Sequence, residues 1–210
     1  GYSFVERYLQ IEKINLKYNI PLHILICLLM LLVSPLLMGV ANLGAKDTAK
    51  VLEMYAALIG IVLVPPVFLP EQDHDIRDLV YTKYTNGAIV YLVRIFGNIL
   101  LLSVLLGIYV GILAHNGCEF PIGRYFLGTL AEMLFMGGLG LFFYGLCDNL
   151  VIGYMAPLIY YITAMGSGDK YLKILYPFSM ARGSYDEKIC LAVGAFVLLG
   201  AGVWCRCRRK

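Results

Sequence analysis

The chain has 210 residues, of which 60% are hydrophobic and 15% are charged, and its formal net charge is +3. A typical soluble domain is about 25% charged and less than half apolar, so this composition, with a mean hydropathy of +0.76, excludes an ordinary water-soluble protein. Apolar blocks of about 20 residues recur along the chain, which is the length that a bilayer-spanning helix needs. Because these blocks do not alternate between polar and apolar residues, they predict an all-α integral membrane protein and not a barrel.

The first part of the chain predicts an interfacial helix followed by two spans. In residues 1–19, the apolar residues Phe4, Tyr8 and Ile11 recur at helical spacing among charged ones, which is typical of a helix lying in the membrane interface. Residues 20–69 hold two apolar blocks without a charge at their centres, and these are the predicted first and second spans. The prolines in VPPVFLP, residues 64–70, are expected to distort the end of the second span.

Charged residues then interrupt the apolar sequence, and residues 70–91 predict a short cytosolic helix and a turn. Pro70 favours a helix start, and acidic residues fall in or near the first turn, where the helix dipole favours negative charge. An apolar stripe follows at helical spacing. The acidic positions are Glu71, Asp73, Asp75 and Asp78, and the apolar ones are Ile76, Leu79, Val80 and Tyr84. Two interpretations stay open: a helix that docks on a partner, and a solvated connector.

The rest of the chain predicts four more spans within residues 92–204, which gives six in one transmembrane domain covering residues 1–210. An even number of spans places both termini on the same side of the membrane. The sequence CRCRRK, residues 205–210, directly follows the last span and predicts a basic cytosolic tail by the positive-inside rule. The protein is therefore expected in the plasma membrane, with both termini in the cytoplasm.

Glu132 is the one acidic residue near the centre of a predicted span. A charge at that depth is costly, so the residue is either a functional group facing the bundle interior or a protonated structural side chain.

Cys118 and Cys190 both fall near the predicted outer face. Two interpretations stay open for them: a disulfide between the two, and two free thiols.

The layout resembles the membrane subunit of an ABC-2-type ATP-binding-cassette transporter. FLPEQDHDIRDLVYTKYTNGAIVYLVRI is similar to the first coupling helix of that family, and LYPFSMA, residues 175–181, resembles the outer segment before its last span. The resemblance implies a dimer with itself or a homologous subunit, and two cytosolic ATPase subunits that bind ATP and Mg. It also implies that the helix at residues 70–91 seats on each ATPase. A compact member of this kind is expected to export an amphipathic or hydrophobic peptide, as bacterial peptide exporters do.

Catalysis by the chain itself is not expected. The sequence has no G-x-x-x-x-G-K-[ST] phosphate-binding loop and no H-E-x-x-H motif, so no metal, cofactor or nucleic acid is expected in this chain. Two alternatives to a transport subunit remain. One is a non-transporting membrane scaffold that anchors a cytosolic complex through the same helix, and the other is an intramembrane enzyme that uses Glu132.

Overall fold

A computed structural model describes residues 4–83 and 87–209 of the chain. Within those ranges it contains nine α-helices and no β-strand. The helices are α1 (Phe4–Ile14), α2 (Pro21–Met38), α3 (Ala45–Val51), α4 (Leu58–Leu63), α5 (His74–Lys83), α6 (Gly87–His115), α7 (Ile122–Cys147), α8 (Leu150–Tyr171) and α9 (Asp186–Arg208). The amphipathic helix predicted before the first span corresponds to α1, although a π-helical turn at Asn15–Asn19 separates it from α2.

In the described part of the chain, five helical stretches are long and apolar enough to cross a membrane. They are Pro21–Met38, Ala45–Gln72, Gly87–His115, Ile122–Cys147 and Asp186–Arg208. This agrees with the predicted all-α membrane architecture. The remaining candidate lies in α8, where the apolar part, Leu150–Gly166, is shorter. A sixth span at α8 therefore stays a prediction.

The second stretch, Ala45–Gln72, is not one regular helix. It passes from α3 through a π-helical turn at Leu52–Ala56 into α4 and then into a 3-10 helix at Pro65–Gln72. The prolines cause the predicted distortion, because a proline lacks the N–H that an α-helix needs. The prediction that the next helix starts at Pro70 is wrong: Glu71 has non-helical backbone angles, and α5 begins at His74.

α7 is the central helix of the bundle. Its apolar part is 67% buried, whereas that of α2 is only 17% buried. Two glycines allow neighbouring backbones to approach α7 closely, since a Cβ on Gly60 of α4 would lie 2.3 Å from the Met133 carbonyl oxygen. A Cβ on Gly145 would lie 2.5 Å from the carbonyl oxygen of Gly202 in α9. Small residues at such contacts are a common basis of helix association in membranes.

The bundle has two ends, and charged side chains are buried near each. The Asp148 end contains α5, the beginning of α6, the α7–α8 turn and the end of α9. The Lys188 end contains the beginnings of α3, α7 and α9. The predicted basic tail at residues 205–210 needs a correction here, because α9 continues to Arg208 and the side chain of Arg206 is fully buried.

Candidate functional site

Five charged residues at the Asp148 end form a cluster that we call the arginine clamp: Glu71, Arg77, Arg94, Asp148 and Arg206. Its centre is the ion pair between Glu71 and Arg94. Arg94 donates from Nη1 to Glu71 Oε2 at 2.6 Å and from Nη2 to Oε1 at 2.8 Å. The Glu71 side chain is 1% exposed, so this bidentate pair is shielded from water.

Asp148 is the second acid of the clamp and joins two arginines. It caps the C-terminal end of α7 in a left-handed conformation with φ of 55°. Arg77 Nη2 lies 3.1 Å from its Oδ2, and Arg206 Nη1 donates to its Oδ1. Arg77 and Arg206 also donate to the backbone carbonyl oxygen of Glu71, at 3.1 and 2.7 Å.

Two aromatic rings pack against the guanidinium of Arg206. Its guanidinium carbon lies 5.5 Å from the ring centroids of both Phe68 and Tyr144, within the range of a cation–π contact. The Tyr144 hydroxyl donates to Gln72 Oε1, and Gln72 Nε2 donates to the backbone oxygen of Asp148 at 3.1 Å. Together with the ion pairs of the clamp, these bonds connect the 3-10 helix and the first turn of α5 to α6, to the α7–α8 turn and to α9.

α5 carries most of the residues predicted to dock on a partner. The side chains of Ile76 and Leu79 are 48% and 66% exposed, and Asp73, Asp75 and Asp78 are exposed too. The side chain of Val80 and all of Tyr84 lie outside the described residues. Glu71 does not share the exposed surface, because its side chain is buried in the clamp.

A second buried cluster, the lysine triad, joins Glu53, Glu132 and Lys188 at the Lys188 end. Lys188 Nζ lies 2.7 Å from Glu53 Oε2 and 3.1 Å from Glu132 Oε2. Both carboxylates are 0% exposed and the lysine side chain is 5% exposed. The structure thus places Glu132 in the bundle interior, which fits both the functional and the structural role that the sequence left open.

The two carboxylates of the triad differ in their remaining partners. Glu53 accepts hydrogen bonds from the backbone N–H groups of Met180 and Ala181, at 3.2 and 2.9 Å. Lys188 also donates to the carbonyl oxygen of Pro177, which lies in the segment LYPFSMA. Glu132 Oε1 is buried and has no hydrogen-bond partner among the described residues. Two carboxylates and one ammonium leave the triad one negative charge in excess when all three are ionised.

Sequence reasoning missed Glu53 and Lys188. Glu53 lies within residues 20–69 and Lys188 within residues 92–204, and the local sequence pattern singles out neither. The signal that would have found them is the cost of an unpaired charge in an apolar segment, which predicts that Glu132 has a cationic partner. The six cysteines, including Cys118 and Cys190, are free in this structure.

No protein-family model matches the chain, and comparison with curated proteins and with solved structures finds no match either.

Proposed function

We propose that the chain is the membrane subunit of an ATP-driven exporter of the ABC-2 type, moved by a separate ATPase that docks on α5. The observation that carries this proposal is the two-sided character of α5. One side exposes the apolar residues Ile76 and Leu79, and the other inserts Arg77 into the arginine clamp. A helix with an exposed apolar face and a buried, salt-bridged side chain can bind a partner on one side and transmit the partner's movement to the bundle on the other.

In this mechanism, the clamp acts as the mechanical link. ATP-driven closure of the ATPases displaces α5, and the salt bridges of Arg77, Arg94 and Arg206 transfer that displacement to α6, to the α7–α8 turn and to α9. The central pair between Glu71 and Arg94 is buried and bidentate, so it is shorter and more directional than an exposed ion pair. Two such subunits, each with α8 as a sixth span and the termini in the cytoplasm, form the pathway for an amphipathic or hydrophobic peptide. Glu132 is the candidate pathway residue.

A second candidate function is a non-transporting scaffold. The same clamp would hold α5 as a fixed anchor for a cytosolic complex, and the exposed apolar pair would bind that complex without moving. The two functions differ in ATP hydrolysis. A transport subunit reconstituted in vesicles with its ATPase is expected to show hydrolysis that its cargo stimulates, whereas a scaffold is expected to show none.

The experiment that tests the docking surface replaces Ile76 and Leu79 by Asp. If these side chains enter a groove on an ATPase, the change buries two unpaired charges in that contact, each costing several kcal/mol. We expect the double variant to reach the membrane in normal amounts, to lose the ATPase during mild detergent purification and to lose transport. The readouts are membrane abundance, the amount of ATPase that co-purifies, and cargo flux.

Leu79→Asp and Thr82→Asp, each made alone, form a matched pair. Thr82 lies one turn further along α5, is exposed, and donates its hydroxyl within the helix to the carbonyl oxygens of Asp78 and Leu79. Thr82→Asp adds the same charge to the same face of α5 without removing an apolar side chain, so it should retain more of the ATPase than Leu79→Asp does. Wild-type retention of the ATPase by the Ile76→Asp/Leu79→Asp variant would refute α5 as the docking element.

A further inference from the structure

A groove of about 590 Å³ runs between α7 and α9 on the surface of the bundle, starting at the Lys188 end. Three of its lining residues are small and at least partly buried, namely Gly128, Ala131 and Ala192. Large exposed side chains flank the gap: Leu127, Val193 and Phe196. The small residues leave the space between the helices open, and the volume lies in the range of roughly 300–1,000 Å³ that is typical of sites for small molecules.

The groove has a cationic mouth. Arg124 lines it at the first turn of α7, is exposed, and has no salt bridge within residues 4–83 and 87–209. Its guanidinium carbon lies 5.6 Å from the ring of Tyr185, which also lines the groove. Lys188 lines the groove too, but its ammonium is engaged by Glu53 and Glu132. Arg124 is therefore the cation at the mouth that is available to an anion.

The length of the groove matches one leaflet of a bilayer. From Arg124 to Leu134 the helix rises by roughly 15 Å, at about 1.5 Å per residue. Half of a hydrocarbon core of about 30 Å is also about 15 Å. An acyl chain that starts at the headgroup level of Arg124 therefore runs the length of the groove and ends near the bilayer centre.

We propose that this groove binds one acyl chain of an anionic phospholipid whose phosphate lies on Arg124. The charge of the mouth argues against a second copy of the chain as the occupant. Two copies related by a two-fold axis along the membrane normal would place their Arg124 side chains at the same depth and on the same contact, where like charges repel. A lipid phosphate supplies the opposite charge, and a guanidinium binds phosphate through charge-assisted hydrogen bonds.

The test is native mass spectrometry of the purified full chain in detergent with an equimolar mixture of phosphatidylglycerol and phosphatidylcholine that carry the same acyl chains. We expect one phosphatidylglycerol per chain, with a preference over phosphatidylcholine of about tenfold, because the choline cation of phosphatidylcholine offsets its phosphate charge near Arg124 whereas phosphatidylglycerol keeps a net negative charge. Arg124→Gln should bring the preference close to one, and Ala192→Trp, which fills the groove, should remove the bound lipid. Neither change touches the arginine clamp.

Two matched controls keep the result specific. Lys46→Gln removes an exposed cation at the same end of the bundle, and Ile108→Trp places the same indole side chain on the exposed side of α6, so both should bind lipid as the wild type does. An unchanged preference in Arg124→Gln, or an equal affinity of the wild type for both lipids, would overturn the proposal. So would an Ala192→Trp variant that keeps its lipid, or one whose only defect is loss of a dimer, since the groove would then contact a second copy.

Discussion

The arginine clamp and the lysine triad are both buried charge clusters, but their charge balance is opposite. The clamp has three guanidiniums and two carboxylates, an excess of one positive charge, and its arginines also bond to backbone carbonyl oxygens. The triad has one ammonium and two carboxylates, an excess of one negative charge, and one carboxylate oxygen of Glu132 has no hydrogen-bond partner among the described residues. The redundant hydrogen bonds of the clamp hold its side chains in fixed positions relative to one another. A single shared cation makes the triad a place where protonation changes the balance.

The largest effect is expected from removing the lysine of the triad. Lys188→Met leaves two buried carboxylates without a cation and raises the charge excess from one to two. Breaking a buried ion pair in this way costs about 3–5 kcal/mol of unfolding free energy. Chemical denaturation of the purified protein in detergent measures the loss.

Arg206→Met is the matched change at the other end and should cost less than Lys188→Met. It removes the positive excess of the clamp, and Arg77 still bonds both Asp148 and the carbonyl oxygen of Glu71. Equal losses of stability in the two variants would mean that the charge balance does not distinguish the two clusters.

A smaller difference is expected between the two carboxylates of the triad. Glu53→Gln puts an NH2 group either at the Oε1 position, facing the N–H of Ala181, or at the Oε2 position, facing the N–H of Met180 and the ammonium of Lys188. Either clash of donors should cost about 1–3 kcal/mol. Glu132→Gln keeps an oxygen for Lys188 and relieves the negative excess, so its cost should stay below about 1 kcal/mol. Thermal unfolding of both variants, side by side, gives the comparison, and the reverse order would contradict the assigned roles.

The smallest effect concerns Glu12 on α1, beside the clamp. Burial raises the pKa of this carboxyl above its usual value of 4.5, while Asn15 and the charge of Arg94 oppose the shift less strongly. The neutral form is therefore favoured when α1 is docked. This contribution is present below pH 4.5 and is lost as the pH rises through the raised pKa.

Hydrogen exchange of the α1 amides, corrected for the intrinsic pH dependence, should show looser docking as the pH rises. Glu12→Gln should abolish that change, since an amide does not titrate. A variant that keeps the wild-type pH dependence would assign it to another group.

The sequence predicts the parts of this fold that local pattern determines. The length of the apolar blocks predicts the five long stretches, and the helical spacing of apolar residues predicts α1 and the amphipathic α5. The prolines predict the distorted end of the second stretch, because a proline lacks the N–H that an α-helix needs. The charge clusters could not be predicted in the same way, because their members are far apart in the chain. Arg206 follows an apolar block, so its local sequence predicts an exposed basic tail. Its partner Asp148 is 58 residues away in sequence, so no local pattern indicates the pair.

The pairing of Glu132 with Lys188 has a consequence for biosynthesis. The two residues are 56 positions apart, so at about 5–20 residues per second the ribosome needs roughly 3–11 s to add Lys188 after Glu132. During that interval, α7 has an acid without its cation, and a charge at that depth in lipid is costly. The nascent chain therefore has to carry Glu132 in its protonated form, or hold α7 outside the hydrocarbon, until α9 arrives.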